Sequence, residues 1–250
     1  MERTLINCNV CSKKMWQTSD WWTDDQRWAQ CRYCGNWQLE QPPQGLRIPP
    51  KILYLDVETS LIEMNIKVFD MKVRSGWLDW HEITKPFYII SWAAAWVDDK
   101  PIKVFSGAVT GKEAKARKDK RMLARLWGMM DQATHICGHN VKGFDTKKIE
   151  TRFLLNDMGA PFQFKQVDTL SIVKKYFKPE SQSLDYWMRL LGGRQKDHMA
   201  RIDWEEVDKG NEKTIRKMQR YNKGDVVSGI QLLRKLMKYI ELKENGIMFR

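Results

Sequence analysis

The sequence contains no apolar run long enough to span a bilayer and no signal-type apolar segment at its N-terminus. Those absences leave a membrane role with little support and lead us to expect a cytoplasmic protein. Cysteine is scarce, with five in 250 residues. In a reducing compartment, paired cysteines bind metal more often than they form disulfides. The four histidines, His81, His135, His139 and His198, have no metal-ligand spacing, and His139 reads as a satisfied structural residue. There is no internal repeat. Acidic residues are the minority charge, 31 against 43 Lys and Arg, which leaves a formal net charge of +12. The excess suits a polyanionic partner, and composition alone does not separate nucleic acid from an acidic membrane surface. Apolar residues make up 42% of the chain, enough for one substantial core and a small appendage.

The few cysteines are placed with purpose. Cys8, Cys11, Cys31 and Cys34 form two C-x-x-C pairs separated by 19 residues. That spacing matches a closed four-thiolate structural zinc site, in which each pair sits on a tight knuckle. Gly35 supplies backbone freedom after the second pair. Cys137 has no partner pair and reads as a small buried apolar residue. Residues 1–40 therefore read as a zinc-ribbon module holding one Zn²⁺. Trp16, Trp21, Trp22, Trp28 and Trp37 crowd into it. A domain this small needs large side chains for its core, and exposed Trp can also stack on unpaired bases. Adjacent Trp21 and Trp22 cannot both face inward from a strand, which leaves one for a ligand or for a protein partner of the module. Residues 41–50, QPPQGLRIPP, hold four of the eight prolines and read as a semi-rigid extended linker.

The second domain spans 51–250. Hydrophobic patterning predicts a strand over 51–57, an insertion from Ser60 to about Lys85, and strands near 87–97 and 101–106. A helix over 112–132, a strand over 135–140 and a helix over 143–158 follow. A strand near 163–168 then leads into a helix ending before Pro179, with further helices over 183–191 and 211–241. Strands first, then helices alternating with strands, argue for an α/β sheet covered by helices. Residues 112–125 carry seven Lys or Arg and two acids, a pattern that an exposed helix face explains. In the last helix Lys213, Arg216, Lys217 and Arg220 form a basic face suited to phosphates, with Arg216 and Arg220 as the candidate contacts. Ile215, Met218, Val226, Ile230 and Leu233 form an apolar stripe beside it.

Within that frame, KILYLDVETS (51–60) is an apolar strand that ends in Asp56 and Glu58, two residues apart and so on one face. Close like charges are costly unless something positive lies between them. In HNVKGFD, Asn140 ends a strand, Phe144 is placed to pack inward and Asp145 enters a helix. In RYNKGDVV, Tyr221 and Asp225 share a helix face, one turn apart. Each has an ordinary reading: a strand running into a polar loop, an acid at a helix N-terminus, an ion pair. Asp168, at the end of a strand, reads as a helix N-cap.

Taken in order, D56-x-E58, N140-xxx-F144-D145 and Y221-xxx-D225 resemble the three exonuclease motifs of the DEDD family. That family includes the proofreading domains of DNA polymerases and several RNA-processing nucleases. Tyr221 resembles the tyrosine of the DEDDy branch, whereas the histidine branch would need His where this sequence has Arg220. SLDYWMRLLG and VDTL look like segments of stand-alone, ribonuclease-H-like exonucleases of bacteria and phages. The resemblance covers roughly 51–240 and leaves the cysteine module outside. It implies a ribonuclease-H-like fold, a mixed five-stranded sheet flanked by helices with the acids at its centre. It implies Asp56, Glu58, Asp145 and Asp225 as ligands of two Mg²⁺ or Mn²⁺ ions, and Tyr221 as the group orienting the attacking water. Thr59 and Asn140 match positions near the terminal nucleotide in relatives, and Phe144 is counted with them as a substrate contact.

The chemistry fits that assignment, because carboxylate oxygens suit hard divalent ions. Two ions about 3.5–4 Å apart stabilise the attacking and leaving oxygens of a phosphodiester displacement. The expected function is a 3′→5′ exonuclease acting on the 3′ end of single-stranded nucleic acid, DNA favoured over RNA. Two other readings stay open: an internal cutter of the ribonuclease H type, and a catalytically idle nucleic-acid-binding protein. With no polymerase domain in the sequence, any proofreading would act in trans.

Overall fold

The computed structural model describes residues 50–65, 80–193 and 199–237, and the backbone of four short strands before them. Those strands are β1 (Arg3–Asn7), β2 (Lys14–Thr18), β3 (Trp28–Gln30) and β4 (Trp37–Leu39). β1 pairs antiparallel with β2, and β3 with β4. Cys8, Cys11, Cys31 and Cys34, the zinc site expected on them, and the linker up to Pro49 lie outside the described residues.

The central strand is β5 (Ile52–Thr59), two residues longer at its C-terminal end than the apolar run predicts, so both acids lie on it. It pairs antiparallel with β8 (Ile89–Trp96), whose first seven residues are buried. β8 pairs antiparallel with β9 (Phe105–Ala108). On the other side β5 runs parallel to β10 (His135–Gly138), and β10 parallel to β11 (Lys165–Asp168). The strand order is β11-β10-β5-β8-β9, a mixed five-stranded sheet. The insertion after Ser60 contains a further small ladder, β6 (Glu63–Met64) with β7 (Ile83–Lys85).

Alternation along β5 divides the core. Leu53, Leu55 and Val57 face a cluster formed with α2 (Lys120–Met130) and α3 (Asp145–Leu155). Ile52 and Tyr54 face the opposite cluster, formed with α4 (Thr169–Tyr176), α5 (Leu184–Leu190) and the second half of α7 (Glu212–Leu236). Burying a strand on both faces demands apolar residues at every position. Asp56 and Glu58 break that demand on the α7 side.

Three elements depart from the sequence pattern. The helix expected over 112–132 is two, α1 (Gly111–Lys115) and α2, separated by a turn in which Arg117 has φ 51°. Asp119 stands at the break, as the N-cap residue of α2. It is fully buried and accepts from Arg152 Nε and Nη2 at 2.7 and 2.8 Å, from Asn156 Nδ2 at 2.8 Å and from the Ile89 amide at 2.9 Å. The charge run is thus more than a solvated face: one acid anchors α2 to α3 and β8. Residues 101–104 are not strand, and β9 starts at Phe105. α6 (Arg201–Asp208) has no counterpart in the pattern, because only Val207 of its residues is buried. No helix among the described residues is long and apolar enough to cross a membrane.

Candidate metal centre

Asp56 and Glu58 project from β5 toward α7, opposite Ala93 and Ser91 of β8 in register. The small side chains of Ser91, Ala93 and Ala95 on that face leave room for a helix. α7 starts cleanly, because the Asn211 side chain caps it by accepting from the Lys213 and Thr214 amides. Where α7 crosses Tyr54 it carries Gly229, and a Cβ there would lie 2.5 Å from Tyr54 Cε1 and closer still to Cζ and the hydroxyl oxygen. That contact places Asp225, one turn earlier, over the acidic end of β5. One carboxylate oxygen each from Asp56, Glu58 and Asp225 lie within 4.8 Å of one another. Asp225 is buried, whereas Asp56 and Glu58 are half-buried.

Asp145 is not in that group of three. It is the first residue of α3, 3% exposed, and its Oδ1 accepts from the Val57 amide at 3.1 Å. The reason lies in the ladder. β10 pairs with β5 only from Ile52 to Tyr54, so the β5 amides beyond need another acceptor. Asp145 supplies it beside Asp56. Burial pushes its carboxyl up to about 7, Asp168 adds to the rise, and the Val57 hydrogen bond works against it. Asp168 is the N-cap of α4, as its position predicts, accepting from the Leu170 amide at 2.9 Å. It also accepts from the Asn140 and Lys142 amides at 2.9 and 3.2 Å and so pins the loop that leads into Asp145. His139 is structural as expected, bonded to Thr169 Oγ1 and to the Gln182 carbonyl. Cys137 is buried in the apolar cluster on the α7 side.

The other candidates fall around this centre. Tyr221 is half-buried on α7, one turn before Asp225. Thr59 ends β5, and its carbonyl accepts from Trp204 Nε1 of α6 at 3.1 Å. Asn140 is exposed at φ 77°, its side chain against the bare Cα of Gly143. Phe144 does not pack inward. It is the N-cap residue of α3, 37% exposed, with the Lys148 ammonium 5.6 Å from its ring centre. Inward packing is taken up instead by Asp145 and Thr146, the next two residues. Arg216 and Arg220 are exposed on α7. Lys217 of the expected basic face pairs with Asp203 of α6 at 2.8 Å and is engaged there.

Asn222 was not among the residues the motifs single out. It is fully buried, and its Nδ2 donates to Asp56 Oδ2 at 2.5 Å. Its sequence signal is a polar residue on the buried stripe of α7, one turn after Met218.

The donor set suits a hard cation. It holds carboxylate oxygens and no thiolate or imidazole. Three acids this close raise one another's energy unless a proton or a cation is shared among them. Asn222 Oδ1, on the residue bonded to Asp56, is buried with no hydrogen-bond partner among the described residues. Asp56, Glu58 and Asp225 can therefore hold a divalent metal ion.

Residues 84–237 match the family model of the RNase_H superfamily. The match includes Asp145, Tyr221 and Asp225 and begins after β5, which carries Asp56 and Glu58. Among curated proteins, none matches this chain by sequence. In three dimensions the chain is similar to the family B DNA polymerase from the hyperthermophilic archaeon Pyrobaculum calidifontis, with a TM-score of 0.55 and 16% identity. That likeness covers 80% of this chain and 26% of the polymerase chain, so it concerns the fold of about a quarter of that protein. With the matched region exceeding half its length and the sheet order in place, this chain belongs to the RNase_H superfamily.

Proposed function

We propose that the protein is a metal-dependent 3′→5′ exonuclease acting on single-stranded nucleic acid, of the tyrosine-containing DEDD type. The observation that carries this reading is the convergence of Asp56, Glu58 and Asp225 within 4.8 Å, from a strand and a helix far apart in sequence. Asp145, the first residue of α3 and bonded to the Val57 amide of β5, is the fourth acid, and Tyr221 stands one turn from Asp225. Asp56, Glu58, Asp145 and Asp225 would hold two Mg²⁺ or Mn²⁺ ions. When bound, such ions lower the pKa of a water and neutralise charge on the departing 3′ oxygen. Asp225, buried and held against the sheet by the close approach at Gly229, is the fixed ligand. Asp56 and Glu58, half-buried, face the solvent from which substrate arrives. Asp145 enters the charged form more readily when a cation replaces the proton that burial favours. Tyr221 orients the attacking water through its hydroxyl, and Arg216 and Arg220 contact backbone phosphates. Thr59 at the end of β5, and Asn140 and the exposed ring of Phe144 in the segment leading into Asp145, contact the terminal nucleotide.

DNA is the favoured substrate, supported by the likeness to a DNA polymerase. The domain plan of a zinc ribbon over 1–40, a linker over 41–50 and a nuclease domain over 51–250 belongs to the same reading. It is supported by the position of each C-x-x-C between two paired strands, β1 and β2 or β3 and β4. The test is digestion of matched DNA and RNA strands labelled at either end, with Mg²⁺ or Mn²⁺. The reading expects mononucleotide release from a 3′ label at once and progressive shortening of a 5′-labelled strand. Internal fragments from both labels would favour a ribonuclease-H-type endonuclease, and retention without cleavage would favour an idle binding protein.

A further inference from the structure

We propose that Asn222 is a positioning residue that sets Asp56 for metal binding, an inference that rests on the metal-dependent reading above. Asn222 is fully buried on the face of α7 that also carries Met218, Asp225, Val226 and Gly229. An amide buried there is costly unless its groups are bonded. Its Nδ2 is satisfied by Asp56 Oδ2 at 2.5 Å, a short charge-assisted contact across 166 residues of sequence. Because the carboxylate can only accept when ionised, this contact also fixes which end of the amide faces it. The contact ties the Asp56 carboxylate to α7 through Oδ2.

The other end of the amide supplies the second observation. Among the described residues Asn222 Oδ1 has no hydrogen-bond partner, and neither does Ser91 Oγ, which stands on β8 opposite Glu58. One buried oxygen thus belongs to the residue bonded to Asp56, and the other to the residue opposite Glu58 in register. Packing alone would favour an apolar residue at 222, since an unpaired buried acceptor carries a penalty. A hydrated cation among the acids brings the missing donors as water. Groups that orient a metal ligand in this way typically change metal affinity or activity by about 10–100-fold when removed.

The experiment measures Mn²⁺ binding to the full chain by electron paramagnetic resonance, without nucleic acid, for the wild type, D56N and N222L. The wild type should bind and D56N should lose at least one ion. N222L should bind with a Kd raised about 10–100-fold, and its rate should recover as metal is added. If the wild type binds no Mn²⁺, or D56N binds as the wild type does, the metal reading itself fails and this inference with it. If D56N loses binding while N222L keeps wild-type affinity, the metal reading stands and Asn222 is a packing residue only. Should N222L not fold, N222A takes its place, leaving a space rather than a larger side chain. If neither folds, Asn222 serves the fold and the proposal is wrong.

Discussion

The close approach of α7 to Tyr54 makes Gly229→Ala a sharp probe of how the fold sets the metal centre. A Cβ at 229 would lie 2.5 Å from Tyr54 Cε1, with Cζ and the hydroxyl oxygen nearer still. Carbon–carbon contacts are favourable at about 3.5–4.0 Å, so the helix or the ring must move by roughly 1 Å. Both are buried, and overpacking of this kind costs about 1–3 kcal/mol. Replacing Gly by Ala within a helix returns about 1 kcal/mol. The net loss is about 0–2 kcal/mol, or roughly 0–8 °C in Tm at about 2–4 °C per kcal/mol for a chain of this size. Function should suffer more. Asp225 lies one turn before Gly229 and Asn222 nearly two, so a displaced α7 draws both from Asp56 and Glu58. A misplacement of about 1 Å can cost about 10²-fold in rate. The assay pairs a thermal melt with single-turnover hydrolysis of an end-labelled strand. Adding Tyr54→Leu to Gly229→Ala should return part of the lost rate, with a favourable coupling of about 0.5–3 kcal/mol in a double-mutant cycle. A Gly229→Ala protein that is more stable by about 1 kcal/mol and turns over at the wild-type rate would refute the reasoning.

Other outcomes follow from the same geometry. Asp145 binds a proton more tightly in the folded state than when unfolded, so metal-free wild-type stability should fall as pH rises from about 4 to about 7. Asp145→Asn should abolish that slope, about 1.4 kcal/mol per pKa unit, as read from urea midpoints in magnesium-free buffer between pH 5 and 8. Tyr221→Phe should slow single-turnover cleavage by about 10²–10⁴-fold with Mn²⁺ affinity unchanged; equal rates would remove the hydroxyl from the mechanism. Arg152→Ala leaves the fully buried Asp119 without its ion pair and should cost about 3–5 kcal/mol in urea denaturation. Protein purified without chelator should carry one zinc per chain by elemental analysis, and its removal should leave the main thermal transition in place.

The acidic cluster is partly legible in the sequence because strand and helix periods put pairs of these residues on shared faces. Asp56 and Glu58 share a face through the two-residue period, and Tyr221 and Asp225 through the helical turn. What is not legible depends on contacts between distant segments. Residues 112–132 look like one helix because nothing local marks Asp119 as a buried anchor, and its partner Arg152 is 33 residues away. Asp145 turns to the Val57 amide because β10 leaves β5 after Tyr54, a property of the ladder rather than of HNVKGFD. Phe144 faces outward for the related reason that the first turn of α3 gives its inner face to Asp145 and Thr146. Asn222 hides between two motif residues, and only its burial against Asp56 marks it.

The most direct test of the central claim, that Asp56, Glu58 and Asp225 form a metal-dependent nuclease centre, is single-turnover hydrolysis of a single-stranded oligonucleotide across a Mn²⁺ titration. It compares the wild type with D56N, E58Q and D225N, each first shown to fold and to bind the strand. The account predicts metal-dependent cleavage by the wild type and near-complete loss in each variant at every metal concentration, because ligands of one centre act as a unit. Cleavage by the wild type in metal-free buffer, or wild-type turnover by any of the three variants at saturating Mn²⁺, would contradict it.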